Sequence, residues 1–240
     1  MINFENIKVA FADKSDKDLS RAYLLFKTIS NPIISNTLTA FIKVAMWFHL
    51  PISWAIKATV YKHFCGGTTI ENSQETIDKL WESHIGTILD FSAEGKENEE
   101  DFNLAMNETI ASIQKAKSES SIPFSVFKPT GLARFALLEK ISNNSTLTKE
   151  EEIEKTTFEG RIENICQSAS DNKVPLFIDA EESWIQDAID DIAIKMMQKF
   201  NKNEAWIFNT LQLYRNDRVD HLAMLLKLAK EEKFFIGLKL

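Results

Sequence analysis

The chain has 240 residues, 44% hydrophobic and 26% charged, the balance of a globular protein rather than a disordered one. Its formal net charge of −7 offers no basic face for phosphate neutralisation, which excludes nucleic acid as the main partner. Only 7 residues are glycine, and none forms a G-x-G or a G-x-x-x-x-G-K, so a glycine-rich cradle for a dinucleotide or nucleoside triphosphate is excluded too.

The N-terminal stretch MINFENIKVAFADKSDKDLS lacks a basic region followed by an apolar one, and it carries acids. No export or transit signal is expected, and a cytoplasmic location follows. The longest uncharged apolar run, between Lys43 and Lys57, holds 13 residues, short of the roughly 18–20 that a membrane span needs. Peripheral contact through Met46–Ile56 stays open, with packing of Trp47 and Trp54 against the rest of the protein as the default. Cys65 and Cys166 form no C-x-x-C and read as reduced thiols or small core residues.

Up to about Gly67 the sequence reads as helices. Apolar residues recur at helical spacing through Leu24, Leu25, Phe26 and Ile29, then through Leu38, Phe41, Ile42, Ala45 and Met46. Asn31-Pro32 and Leu50-Pro51 punctuate them. This predicts a helical arm over 1–67, followed by a second domain over 68–240 whose first helix opens with a capping box at Thr68 and Glu71.

Beyond that point short apolar runs alternate with amphipathic helices. The runs Ile85–Phe91, Phe124–Lys128, Val174–Asp179, Trp206–Asn209 and Phe234–Leu240 read as parallel strands covered on both faces. Between them, stripes are predicted through Phe102, Met106, Ile110 and Ile113; through Phe158, Ile162, Ile165 and Ala169, where Gly160 is a poor helix former; through Ile185, Ile189, Ile192, Met196 and Met197; and through Val219, Leu222, Leu226 and Ala229. The order is a helical arm, then strands and helices in alternation. It implies a parallel sheet with right-handed crossovers, in a barrel or a doubly wound layout.

Chemistry in such folds collects at the carboxyl ends of strands. Asp90, Lys128 and Asp179 end the first three strands, Gln212 follows the fourth and Lys239 lies in the fifth. A lysine there is costly unless paired, and the two acids are its expected partners. The alternative for each aspartate is to cap the next helix. The four histidines show no H-x-x-H, so no metal site is expected.

The segments FCGGTTIE (Phe64–Glu71), ILDFSAEGKE (Ile88–Glu97), FKPTGLARF (Phe127–Phe135), LFIDAEESWIQDAID (Leu176–Asp190), IFNTLQLY (Ile207–Tyr214) and GLKL (Gly237–Leu240) resemble the proline dehydrogenase family. The resemblance implies an α/β fold, a (β/α)8 TIM-type barrel behind the helical arm, represented here by about five strands. It implies FAD as cofactor, oxidation of L-proline to 1-pyrroline-5-carboxylate, and electron transfer to a membrane quinone. Carried over by position, Lys128 and Asp179 would lie beside the substrate and Asp90 would join their charges. Gln212 would hydrogen-bond the isoalloxazine, and Lys239 stands where many members have arginine. The arginine pair that clamps the proline carboxylate in the family has no counterpart, so the 240-residue polypeptide alone is expected to be inactive. Two other readings remain: a Schiff-base aldolase-type enzyme with Lys128 as nucleophile, and a non-catalytic interaction module.

Overall fold

The structure, a computed structural model, describes residues 5–91 and 95–240. Residues 1–4, part of the N-terminal stretch above, and residues 92–94, inside ILDFSAEGKE, lie outside the described residues. The chain divides into two compact units, Met1–Thr76 and Ile77–Leu240.

The first unit is helical, as the periodicity predicts. Its elements are α1 (Ile7–Ala10), α2 (Asp16–Ile29), α3 (Pro32–Trp47), α4 (Ser53–Ile56) and α5 (Lys62–Phe64), with a wider helical turn over Lys57–Tyr61. Asn31 ends the pause after α2. Its side-chain oxygen accepts from Ile33 N and Ile34 N at 3.1 and 3.3 Å, while Pro32 takes the first helical position, where its missing N–H costs nothing. His49 turns the chain out of α3 in a left-handed conformation (φ 54°).

Within the apolar stripes of the arm Ala45 is buried, Leu25 and Ile42 are half-buried, and the other large apolar side chains are exposed. Phe41, Trp47 and Trp54 are 61%, 75% and 73% exposed. The predicted capping box also shifts. Thr69, not Thr68, accepts from Asn72 N at 3.1 Å, and a tight turn over Glu71–Ser73 precedes α6 (Gln74–Glu82). The hydroxyl of Thr68 takes the Asn72 side chain instead, at 3.0 Å.

The second unit alternates β1 (Ile88–Leu89), α7 (Glu99–Ser118), β2 (Phe124–Phe127), α8 (Phe135–Ser142), α9 (Lys149–Asn172), β3 (Leu176–Ile178), α10 (Gln186–Phe200), β4 (Ile207–Thr210), α11 (Arg218–Glu232) and β5 (Leu238–Lys239). All five strands are parallel, and their spatial order repeats their chain order. A doubly wound sheet reverses its order partway; a TIM-type barrel does not. The layout is therefore the barrel's. Among the described residues the ladder is open, with β1 and β5 at its edges.

Register sorts the two faces. Val126, Phe177 and Phe208 align across β2, β3 and β4, and so do Phe127, Ile178 and Asn209 or their neighbours on the opposite face. Leu176, Ile178 and Ile207 join Ile113 of α7, Ile162 and Ile165 of α9, and Ile189 and Met197 of α10 in one buried core. Gly160 does not interrupt α9: it stands on the exposed side, and a full capping box at Thr148 and Glu151 starts the helix. Gly237 allows β5 to meet β4, because a Cβ there would come within 2.3 Å of the Ile207 carbonyl oxygen.

On α11 the buried stripe differs from the predicted one. Val219 and Leu226 are exposed, and Leu225 is fully buried. The buried stripe is Arg218, Leu225 and Ala229, with Leu222 half-buried beside it, and it is headed by a charged residue that an apolar reading discounts.

The cysteines have separate fates. Cys65 is exposed and Cys166 is enclosed in the core, where burial pushes its thiol well above the ordinary range. A thiol-disulfide reagent should label Cys65 promptly in the native protein and Cys166 only after denaturation. Equal labelling rates would contradict this.

Candidate active site

Five side chains singled out in the sequence stand on or beside one face of the sheet, the face away from the core. Alternation along each strand puts Asp90, Lys128, Asp179 and Lys239 on the same side as Phe177 and Phe208. The aspartates are not helix caps. Asn98 caps α7, accepting from Asp101 N at 2.9 Å, and Ile185 precedes α10 with no side-chain cap.

The charges form two ion pairs. Lys128 Nζ lies 2.5 Å from Asp90 Oδ2, joining the ends of β2 and β1. Lys239 Nζ pairs with Asp179 Oδ1, joining β5 to β3. Thr210, at the end of β4, donates to the Ile178 carbonyl oxygen at 3.0 Å and reaches Asp179 Oδ1 at 3.5 Å. Sequence order suggested Lys128 between both acids; the strand spacing supplies each acid with its own lysine.

An aromatic platform lies under these charges. Phe124 and Phe177 stack with ring centres 4.4 Å apart and planes 5° apart, and Phe208 meets them edge-on at 5.6 and 5.7 Å. Lys239 Nζ stands 5.2 Å from the centre of the Phe177 ring, within cation–π range. A recess of about 350 Å³ opens beside Lys128, lined also by Ala180, Glu181 and Glu182.

Glu181 organises the loops and went unmarked in the sequence. Its carboxylate accepts from Thr130 N at 2.9 Å and from the Thr130 hydroxyl, fixing the tight turn Pro129–Gly131 that follows Lys128. Its carbonyl oxygen accepts from Gln212 Nε2. Both residues lie inside the quoted segments, next to the residues that were marked. The spacing gave no reason to separate Glu181 from Glu182.

The donor set suits a flavin. Gln212 Oε1 is buried with no hydrogen-bond partner, an acceptor ready for the one N–H of an oxidised isoalloxazine. The stacked phenylalanines offer flat apolar surface, and Lys239 offers a positive charge beside it.

No arginine is available as a carboxylate fork. Arg21, Arg134, Arg161, Arg215 and Arg218 each pair with an acid of this chain: Asp18, Glu154, Glu99, Asp217 and Asp190 respectively. The Arg215 and Arg218 hydrogen bonds hold the Asp217 carboxyl well below the usual range, Arg218 first. A Lys140 hydrogen bond also lowers the Glu151 carboxyl. Each carboxyl is more acidic folded than unfolded, so its contribution to stability is present above the ordinary values near 4 and is lost as pH falls through the lower folded value. Urea midpoints should drop between about pH 5 and pH 2. Asp217→Asn should flatten that drop; an unchanged slope would contradict it.

Comparison with known proteins places the chain. Residues 73–240 match the family model for proline dehydrogenase. The chain is 31% identical over 176 residues to the carbapenem antibiotics biosynthesis protein CarD of Pectobacterium carotovorum subsp. carotovorum, covering 73% of this chain and 47% of that one. It is 27% identical over 263 residues to the mitochondrial proline dehydrogenase 1 of Dictyostelium discoideum, covering 93% and 46%. Among solved structures, proline utilization A (PutA) from Bdellovibrio bacteriovorus superposes with a TM-score of 0.63 at 13% identity, covering 95% of this chain and 25% of that one. The chain spans about half the length of the two relatives just named. A family model matched over more than two thirds of the sequence, on the barrel layout described above, is decisive: the chain belongs to the proline dehydrogenase family.

Proposed function

We propose that this chain supplies part of the active site of a flavin-dependent proline dehydrogenase, which oxidises L-proline to 1-pyrroline-5-carboxylate. The observation that carries the reading is the pairing of Lys239 with Asp179 above the stacked phenylalanines, beside the unpartnered acceptor of Gln212. When bound, FAD would take the hydride leaving the proline ring and pass two electrons on to a membrane quinone.

The residues present have separable tasks. Lys239, already oriented by Asp179, would offer fixed positive charge to a bound flavin. Asp179 holds that ammonium in place, and Thr210 braces Asp179. Gln212 would hold the ring system through its unpartnered acceptor. Lys128 lines the recess and would face the substrate, with Asp90 holding its ammonium. Among the described residues no helix is long and apolar enough to cross a membrane. The exposed Met46, Trp47, Phe48, Leu50 and Trp54 suit peripheral contact at a membrane surface, where a quinone would be met. A cytoplasmic location, peripheral to an inner membrane, accompanies this reading.

The 240-residue polypeptide alone is expected to retain little FAD and to show no proline-dependent turnover. Its sheet is open at β1 and β5, and its arginines are engaged. Expressing this polypeptide beside the full-length gene product tests the point; a yellow, proline-reducible 240-residue sample would contradict it. Borohydride trapping of a keto substrate on Lys128 would instead support the Schiff-base reading, and none is expected.

A further inference from the structure

A chain of buried polar groups runs behind the sheet, on the side away from the recess. Asp190 of α10 is 3% exposed, and its Oδ1 accepts from Gln186 Nε2 and from Asn209 Nδ2, each at 2.9 Å. Its Oδ2 receives Arg218 Nη1 at 2.6 Å, and His221 Nδ1 lies 3.7 Å away. Gln186 is fully buried, and its Oε1 accepts from Glu181 N at 3.2 Å. Glu181 then holds Thr130 through its carboxylate and Gln212 through its carbonyl oxygen. Asn209 immediately precedes Thr210, the brace of Asp179.

We propose that Asp190 is a positioning residue, which sets the loops after β2, β3 and β4 through Gln186 and Asn209 and thereby fixes Gln212 and Asp179. A buried ion pair is weak evidence of stability, because apolar side chains of like volume fill such a space as well. What apolar packing cannot give is direction. Every link here is a hydrogen bond with a defined donor and acceptor, and the links run from the helical shell into three strand-end loops that carry the site. Loops at strand ends have few neighbours to hold them, and sub-ångström placement is what a preorganised site requires.

The inference rests on the flavin reading only where it concerns what Gln212 binds, so the test has two arms in the full-length gene product. Gln186→Ala cuts the link to Glu181 while leaving Asp190 paired with Arg218 and Asn209. Ile165→Val, a core change away from the chain, serves as the purely structural comparison.

In the first arm, amide hydrogen exchange is followed on flavin-free protein. Gln186→Ala should speed exchange at Thr130 and Glu181 about tenfold, with α9 amides unchanged. Ile165→Val should not raise exchange at those two positions selectively. Unaltered exchange at Thr130 and Glu181 in Gln186→Ala overturns the proposal. In the second arm, FAD is titrated by flavin fluorescence quenching. Gln186→Ala and Asp190→Asn should each weaken FAD binding about tenfold and shift the bound flavin's absorption spectrum. Faster exchange with unchanged FAD affinity and spectrum overturns the assignment of Gln212 as the positioned group. A wild-type protein that binds no FAD overturns the flavin reading, while the exchange arm still decides the relay.

Discussion

Asp179→Asn is expected to slow proline-driven flavin reduction by about 10²–10³-fold while leaving the fold intact. Asparagine matches aspartate in shape, and Asp179 sits at the open end of β3 rather than in the core, so packing is preserved. What disappears is the charge that holds Lys239 over the Phe177 ring. An ammonium without that partner swings through several rotamers, and the positive charge is no longer fixed where it is needed. Anaerobic stopped-flow measurement of flavin bleaching reads the effect directly, with thermal melting as the control for folding. A loss below about fivefold would show that the pair is not used in the reaction.

Arg218→Met should cost the second unit about 3–5 kcal/mol, since it leaves Asp190 ionised and buried without its cation. Both side chains are about 5% exposed, so water cannot take over the lost bonds. For a unit of this size the melting temperature should fall by roughly 6–20 °C. Combining Arg218→Met with Asp190→Leu should recover only part of that loss: the apolar pair leaves no charge to bury, but the buried amides of Gln186 and Asn209 lose their acceptor. A double variant no more stable than Arg218→Met alone would contradict this. The double variant should nonetheless bind FAD poorly, because stability returns without the direction that Asp190 gave to Gln186 and Asn209.

The alternation of strands and helices was legible in the sequence because hydrophobic period and strand length are local properties. All five runs hold a strand, and the charged residues Asp90, Lys128, Asp179 and Lys239 fall into two ion pairs on one face because strand ends lie on one side of a parallel sheet. The choice between barrel and doubly wound sheet was not local. It depends on which strands are neighbours, and no periodicity records that. Arg218 went unmarked for a related reason: on α11 it is a buried charge in an apolar stripe, and its buried partner Asp190 stands 28 residues earlier on another helix. Glu181 escaped because its partners, Thr130 and Gln212, are 51 and 31 residues away. The Thr68 capping box failed by one position: the pattern fits the rule, but Thr69 stands where Asn72 N can be reached. The three-phenylalanine platform also needs register, since each ring comes from a different strand.

The central claim is that these strand ends serve flavin-dependent oxidation of proline. The most direct test is anaerobic mixing of the purified full-length gene product with L-proline while the flavin absorption is followed. The expected result is a yellow protein that is bleached by L-proline and not by D-proline, with 1-pyrroline-5-carboxylate recovered in equal amount to the flavin reduced. A protein that carries no flavin, or one whose flavin L-proline leaves oxidised, would contradict it.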